Sequence, residues 1–453
     1  MSRVAFELDD RTLAVARDGV ILHSAPAVVF DGSGGEPVGE HAWHTQRRTP
    51  THVSSRHMGE LGGGAAYSER ALSLTATDLA TRLEPYRSEE APLWIAASAA
   101  FSPAGLSATL AITRKLGFRV AAFVDAATAA VGVLAPGRTA LVLEIGLHHV
   151  AVTAVDNGAH ARRRRAVLSA RGGLLELYES WLDLVRAAMV KRTRFDPLHD
   201  AATEQQVFDA LPALARDAAA HGSATATVAA GQERFEAELS RDQYAQAGEP
   251  IYREILRLLR DLRHAGAAVT IVAPRLILDL PGLREALDTF QDCELIVTAD
   301  GFGAAATTLL ALAPTNDAEP DAVRLIRRVP AARAATLGQL AERMPLGSDP
   351  VHEQHASHVL YEGRAFAFDR GPLMVGRGGT GDAVIALPEG LAGVSRRHCT
   401  FLHDGEHLML VDHSTFGTFV NGERVAERVR IRAGDRVRVG EPGVELALIA
   451  IGA

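Results

Sequence analysis

Between Gly393 and Phe401 the chain reads GVSRRHCTF, with a serine, two arginines, a histidine and a cysteine in consecutive positions. Three chemistries use such residues: a Ser–His nucleophile and base, a Cys–His metal site, or a cationic grip on phosphate. A nucleophile needs its base within hydrogen-bond reach. Ser395 and His398 stand three apart on a stretch that reads as strand, so they are expected on opposite faces. No Gly-x-Ser-x-Gly elbow surrounds the serine. Cys399 and His398 lack the further ligands of a zinc-like set, and Cys399 reads as a small buried apolar residue. A phosphate dianion needs donors converging from several loops, at least one of them charged. Arg377 offers a guanidinium, Ser395 a hydroxyl and Arg396 a second cation. The competing reading of the arginines is a solvated charge cluster.

The elements around these residues are short and alternating. HVLYEGRAFAF, HLMLVD, RVRIRAGDRVRVG and ELALIAI are separated by Gly, Asp and Asn turns, the pattern of an all-β sandwich from residue 357 onward. On that β segment lie Gly376-Arg377, then Ser-Arg-Arg-His from Ser395, then DHSTFGTFVNG from Asp412 to Gly422. This ordered set resembles the forkhead-associated (FHA) domain, over roughly the last hundred residues. The resemblance implies a sandwich whose loops at one end read phosphothreonine peptides. It implies that Arg377, Ser395 and Arg396 face the phosphate and that Thr415 sits on the neighbouring loop. His398 would brace the site from behind with Gly376, while Asn421 and Gly422 form a structural turn; Asn-Gly is a hairpin signal in its own right. One departure stands out. The family usually has Asn where this chain has Phe416, and Phe cannot make the hydrogen bonds by which that Asn holds the peptide backbone. A phosphothreonine reader of altered specificity is expected.

The whole chain has 453 residues, 47% of them hydrophobic, and a formal charge of −8. That length suits roughly three domain-sized units of about 150 residues. The charge argues against a dedicated nucleic-acid binder. The two cysteines, Cys293 and Cys399, form no Cys-x-x-Cys pair and suggest no disulfide framework. MSRVAFELDD lacks the apolar core of a secretory leader. GFGAAATTLLALAP is shorter than the roughly 20 residues of a membrane helix. A cytoplasmic protein without membrane attachment is therefore expected.

Residues 1–313 alternate buried-strand runs such as TALVLEIG with amphipathic helices such as LLELYESWLDLVRAAMV, the grammar of an α/β fold. The helix in IYREILRLLRDLRHAG is expected to stop at Gly266. Residues 314–356, rich in Pro and mixed charge, read as a linker with one short helix near Thr336–Arg343. Arg162–Arg165 read as solvated arginines on a strand after the Asp-Asn-Gly hairpin, and the glycine runs near Gly32 and Gly62 as turns.

Several stretches of the first part, in order, resemble the actin-like ATPase fold, nearest to the heat-shock chaperone ATPase domain. They are VAFELDDRTLAVARDGVILHSAPAVVF, VDAATAAVGVL, LVLEIGLHHVAVTAVDNG, RGGLLELYESW, GQERFEAELSRDQY, VTIVAPRLILDLPGLREAL and VTADGFGAAATTLLA. The resemblance implies an α/β two-lobed, duplicated RNase H-like domain with three nucleotide-binding loops. In that family small residues let backbone N–H groups close around phosphates. Here the first loop reads Glu7-Leu8-Asp9-Asp10, the second keeps only Gly146 after Glu144, and the adenosine loop carries Ala273-Pro274. Acid side chains oppose a polyphosphate, and Pro274 removes a donor. A pseudo-ATPase without nucleotide cofactor is expected. Glu7, Asp9, Glu144, His148 and His149 have the residue types of a divalent-metal site. Adjacent histidines on a strand, however, point to opposite faces, and no metal is expected.

Together these readings describe a cytoplasmic signalling adaptor or scaffold that binds a threonine-phosphorylated partner, with no kinase signature of its own. The alternative is an active, divergent chaperone-like ATPase targeted by the FHA domain. Self-association through the lobes is a third reading, and docking of the FHA domain on Thr336 of its own chain is a further expectation to weigh.

Overall fold

The computed structural model describes residues 2–33, 36–61, 69–87, 92–290, 292–314, 323–332, 340–346, 356–368, 371–378, 383–405 and 407–450. Gly62–Gly64 and Thr336 lie outside the described residues. The chain divides into two compact units. The first comprises Met1–Leu258, Thr270–Thr289 and Glu294–Pro345, and the second Leu259–Val269, Phe290–Cys293 and Leu346–Ala453.

The first unit holds two sheets built on one plan. In the first, β1 (Val4–Leu8), β2 (Thr12–Arg17) and β3 (Val20–Pro26) form an antiparallel meander, and β4 (Leu93–Ala97) and β5 (Val120–Asp125) add in parallel beside β1, giving the order β3-β2-β1-β4-β5. In the second, β6 (Ala140–Ile145), β7 (Val150–Asn157) and β8 (His160–Ser169) form the meander, and β9 (Thr270–Pro274) and β10 (Glu294–Thr298) add in parallel beside β6, giving β8-β7-β6-β9-β10. Strand order and direction repeat.

Helix α1 (Pro103–Lys115) joins β4 to β5, and its N-cap Ser102 accepts from the Gly105 N–H. Helix α2 (Ala126–Gly132) follows β5. Leu174–Thr193 (α3), Ala201–His221 (α4) and Arg241–Leu262 (α5) separate β8 from β9, and α6 (Phe302–Leu309) follows β10. Helices α2 and α6 pack on each other, and their residues share one buried cluster with residues of both sheets. Ala127, Ala129, Ala130, Ala304, Ala305 and Ala306 are all buried there. Small side chains are required because each helix has neighbours on several sides. The period of two along β1 does the sorting. Ala5 faces this cluster, whereas Phe6 and Leu8 belong to a second cluster with Leu106 and Leu110 of α1.

The structure changes three local expectations. Helix α5 ends at Leu262, before Gly266, whose φ of +71° belongs to a turn beyond a short strand, His264–Ala265. The stretch read as a linker carries strands β11 (Leu325–Ile326), β12 (Arg328–Pro330) and β13 (Ala341–Pro345). Ala341–Arg343 is thus strand and not helix, because β13 finds an antiparallel partner in β10. Arg162–Arg165 lie on β8 as expected, but Arg163 turns inward to Asp125 at 2.7 Å.

The second unit is a β-sandwich. One sheet contains β14 (His358–Tyr361), β15 (Arg364–Ala367), β20 (Thr418–Val420), β21 (Glu423–Val425), β23 (Arg436–Val439) and β24 (Val444–Ile449). The other contains β16 (Leu373–Gly376), β17 (Val384–Ala386), β18 (Cys399–Asp404), β19 (His407–Asp412) and β22 (Arg428–Arg430). Alternate residues from both sheets, including Val359, Val375, Phe401, Leu410, Val437 and Leu446, fill the core between them. His264–Ala265 pairs in parallel with Arg424–Val425, lengthening the first sheet. Among the described residues, no helix is long and apolar enough to cross a membrane.

Candidate functional site

Three loops of the sandwich meet around His398. Arg377 and Gly378 follow β16, Ser395–Arg397 precede β18, and His413–Gly417 join β19 to β20. The first two are laced by backbone bonds from the Arg377 N–H to Ser395 O (3.1 Å) and from the Gly378 N–H to Arg396 O (3.1 Å). Gly376 is needed for this approach, since a Cβ there would lie 2.1 Å from Arg396 O.

His398 is fully buried and ties the loops together. Its Nδ1 accepts from the Ser395 N–H at 3.0 Å, and its Nε2 donates to Gly417 O at 3.1 Å. That pair of bonds requires the neutral ring, and burial holds its pKa below the ordinary value. Ser395 and His398 therefore do meet, in a turn and not on a strand, but through the serine's amide. Both ring nitrogens are engaged, which leaves no base for Ser395 Oγ. Cys399 is buried and free, and burial pushes its thiol pKa strongly upward.

With the loops so held, Ser395 Oγ accepts from the Thr415 N–H at 3.4 Å, and Arg377 Nη1 donates to Glu389 O at 3.0 Å. Arg396 and Thr415 are exposed, Ser395 half-buried. The three residues expected to face a phosphate, and Thr415 expected beside them, thus come from three adjoining loops. Asn421 and Gly422, with φ of +52° and +86°, make the two-residue turn between β20 and β21. The Asn421 side chain donates to Asp435 Oδ1 (2.8 Å) and accepts from the Arg436 N–H (2.9 Å).

Residues 373–440 match the family model of the FHA domain. The match lies within the C-terminal sandwich and includes no part of the first unit. No curated protein matches the chain.

The second set of sequence-selected residues gathers in the first unit, where the ends of β1 and β6 come together. Glu7, on β1, accepts from the Ala304 N–H in the first turn of α6 at 3.0 Å. Glu144, on β6, accepts from the Ala99 N–H at 3.2 Å. Asp10 is buried in the turn between β1 and β2, and reaches across to the turn after Gly146. It accepts from the Leu147 N–H (2.9 Å), the His148 N–H (3.1 Å) and His149 Nδ1 (3.1 Å). A Cβ on Gly146 would lie 2.2 Å from Asp10 Oδ1, so glycine is required for this contact. Two successive backbone N–H groups aimed at one anion form a nest, and here the anion is the protein's own carboxylate.

His148 and His149 lie in the β6–β7 turn and not on a strand, and neither is exposed. His148 Nε2 bonds to Ser55 Oγ at 2.9 Å. Asp9, Asp10 and His149 offer ligand atoms within 4.8 Å of one another, a spacing that a divalent ion could bridge. Burial alone would lower the His149 pKa, but the Asp10 hydrogen bond and the charges of Asp10, Asp9 and Glu144 raise it to about 9. The contact with Asp10 favours the imidazolium near neutral pH, a form that opposes metal ligation.

Sequence reasoning missed Arg11. It donates through Nη1 to Asp300 Oδ2 at 2.9 Å and through Nε to Ile145 O at 3.0 Å. It also missed Asp125, which caps α2 by accepting from the Thr128 N–H (2.8 Å) and pairs with Arg163. Pro274 and Asp300 line a cavity of about 60 Å³ with Glu7, Asp9, Arg11 and Glu144. Ala273 is buried and does not line that cavity. Burial chiefly raises the carboxyl pKa of Glu7 to about 7, of Asp9 to about 6 and of Glu144 to about 8.

Proposed function

We propose that the protein is a cytoplasmic adaptor that docks onto a threonine-phosphorylated partner through its FHA domain. The observation that carries this reading is the neutral His398 brace between the Ser395 and Gly417 loops, which together with the backbone bonds from Arg377 and Gly378 to Ser395 and Arg396 holds Arg377, Ser395, Arg396 and Thr415 on three adjoining loops within the matched region. A guanidinium, a hydroxyl and a second cation on fixed loops suit a phosphate dianion. Such a reader implies a Ser/Thr kinase acting on the partner.

The first unit, on the same reading, is an actin-like two-lobed domain running on to Pro345 that does not hydrolyse nucleotide. Two sheets of one strand order around paired central helices agree with that architecture. Three arrangements support the loss of activity. Asp10 fills the amide nest after Gly146. The Arg11–Asp300 pair and three carboxyl groups crowd the cleft. The cavity that Glu7, Glu144 and Pro274 line is about 60 Å³, below the roughly 300–1,000 Å³ of ordinary small-molecule sites, while a second cavity of about 440 Å³ is lined by Asp10, His148 and His149.

Two measurements on the full chain test the proposal. Phosphothreonine peptides should bind and their unphosphorylated forms should not, with Arg377→Ala abolishing the difference. Magnesium-ATP should leave the melting temperature unchanged, because only a ligand selective for the folded state raises it. Equal binding of both peptide forms would remove the adaptor reading, and a clear rise with ATP would favour the chaperone-like ATPase.

A further inference from the structure

Phe416 is the exposed large apolar side chain of the sandwich. Among the described residues only Val20, Leu22 and Leu168, all in the first unit, share that condition, and Phe416 retains 57% of its surface. Its exposure is not the fraying of a slack loop. The Ser414 N–H donates to Asp412 Oδ1 (3.0 Å), and Thr418 Oγ1 donates to the same oxygen (2.7 Å). The Gly417 N–H donates to Ser414 Oγ (2.7 Å), while Gly417 O accepts from His398 Nε2 and from the Gly440 N–H (3.1 Å). Gly417 itself holds φ at +92°, and a Cβ there would lie 2.8 Å from Arg424 Nε. The backbone after Phe416 is therefore fixed at several points, and the ring is held outward in water.

The position of that ring matters. The preceding residue, Thr415, donates its N–H to Ser395 Oγ, so Phe416 directly follows the residue that contacts a phosphate-facing hydroxyl. An apolar ring fixed beside a charged pocket has nothing to offer a polar peptide backbone and much to offer an apolar side chain. Arg424 beside Gly417, with Arg396 and Arg397 on the neighbouring loop, is exposed and has no acidic partner among the described residues. The surroundings are cationic, which suits a phosphorylated ligand and opposes a basic one.

We infer that Phe416 selects, among phosphothreonine peptides, those carrying an apolar side chain next to the phosphorylated residue. The inference rests on the phosphopeptide reading of the same site. The phosphate supplies the anchor and the ring supplies the discrimination. Covering the free part of a phenyl ring is worth roughly a ten-fold change in affinity.

The test uses the full chain and a labelled phosphothreonine peptide library in which each flanking position is varied between apolar and polar residues. Wild type should prefer an apolar residue at one flanking position by about ten-fold. Phe416→Ala should erase that preference while binding still requires the phosphate. Phe416→Asn, which supplies an amide, should bind both peptide classes alike. A wild-type protein indifferent to the flanking residue, or a Phe416→Ala protein that keeps the preference, overturns the inference but leaves the phosphate reading standing. If Arg377→Ala binds every peptide as wild type does, the phosphate reading itself fails and takes the inference with it. Sedimentation showing a dimer that Phe416→Ala dissolves would assign the ring to a second copy of the chain and overturn the proposal.

Discussion

Replacing Asp10 by alanine removes the anion on which the β1–β2 and β6–β7 turns converge. Two backbone N–H groups, of Leu147 and His148, and the His149 ring all lose their acceptor together. Breaking a buried charge pair from one side costs about 3–5 kcal/mol. The raised His149 pKa of about 9 gives the same order, since each unit corresponds to about 1.4 kcal/mol. The melting transition of the first unit should fall by about 5–10 °C, measured by calorimetry on the full chain near pH 7. Asp10→Asn keeps an acceptor but loses the charge and should fall between alanine and wild type. The vacated nest also allows a chemical check: formate, a carboxylate without a chain, should raise the melting temperature of Asp10→Ala and leave wild type unmoved. An Asp10→Ala protein melting within about 2 °C of wild type would refute the claim that this carboxylate is the resident anion of the nest.

Above about pH 6.5 the first unit should lose stability as pH rises toward about 9. Glu7, Glu144 and His149 have folded pKa values of about 7, 8 and 9, each raised above the ordinary value, so the folded state holds protons that the unfolded chain has released. Asp10 contributes the opposite sign, but only at acid pH, because its pKa is lowered, by the His149 hydrogen bond and charge against the upward push of burial. A melting temperature flat or rising across that alkaline window would contradict these assignments. His398→Ala should destabilise the sandwich by about 1–3 kcal/mol, since the Ser395 N–H would lose its acceptor while Gly417 O would keep only the Gly440 N–H. Phosphopeptide affinity should fall with it, and denaturant unfolding alongside calorimetric titration would reveal a merely passive histidine if neither changed. The lowered His398 pKa makes its contribution full above pH 6.5 and progressively lost below.

The FHA loops were legible because their residues sit at fixed offsets on short strands, and Asn421-Gly422 announces its own turn. What escaped was what depends on distance along the chain. Asp10 looked like a charge that repels phosphate; its partners lie more than 130 positions away, and only Gly146 hinted that something must come close. Arg11 gave no periodic signal, and its partner Asp300 is 289 positions away. His148 and His149 were placed on a strand because the apolar run of β6 reads straight into that of β7, and the tight turn between them carries no Asn or Pro. Strand β13, AERMP, has helix-favouring residues, and its pairing with β10 overrides that preference.

The strand His264–Ala265 has a practical bearing on how the sandwich can be handled. It pairs with Arg424–Val425, and just before it Arg263 grips the buried Glu423 carboxylate through Nη1 at 2.9 and 2.7 Å. A fragment begun at Leu346 would keep every phosphate-facing loop yet shed this distant splint. It would strand an acid whose pKa burial already pushes upward and bare a sheet edge to chance pairing. Peptide-recognition work on such an excised piece would be done on a wounded domain, so the intact polypeptide is the proper reagent.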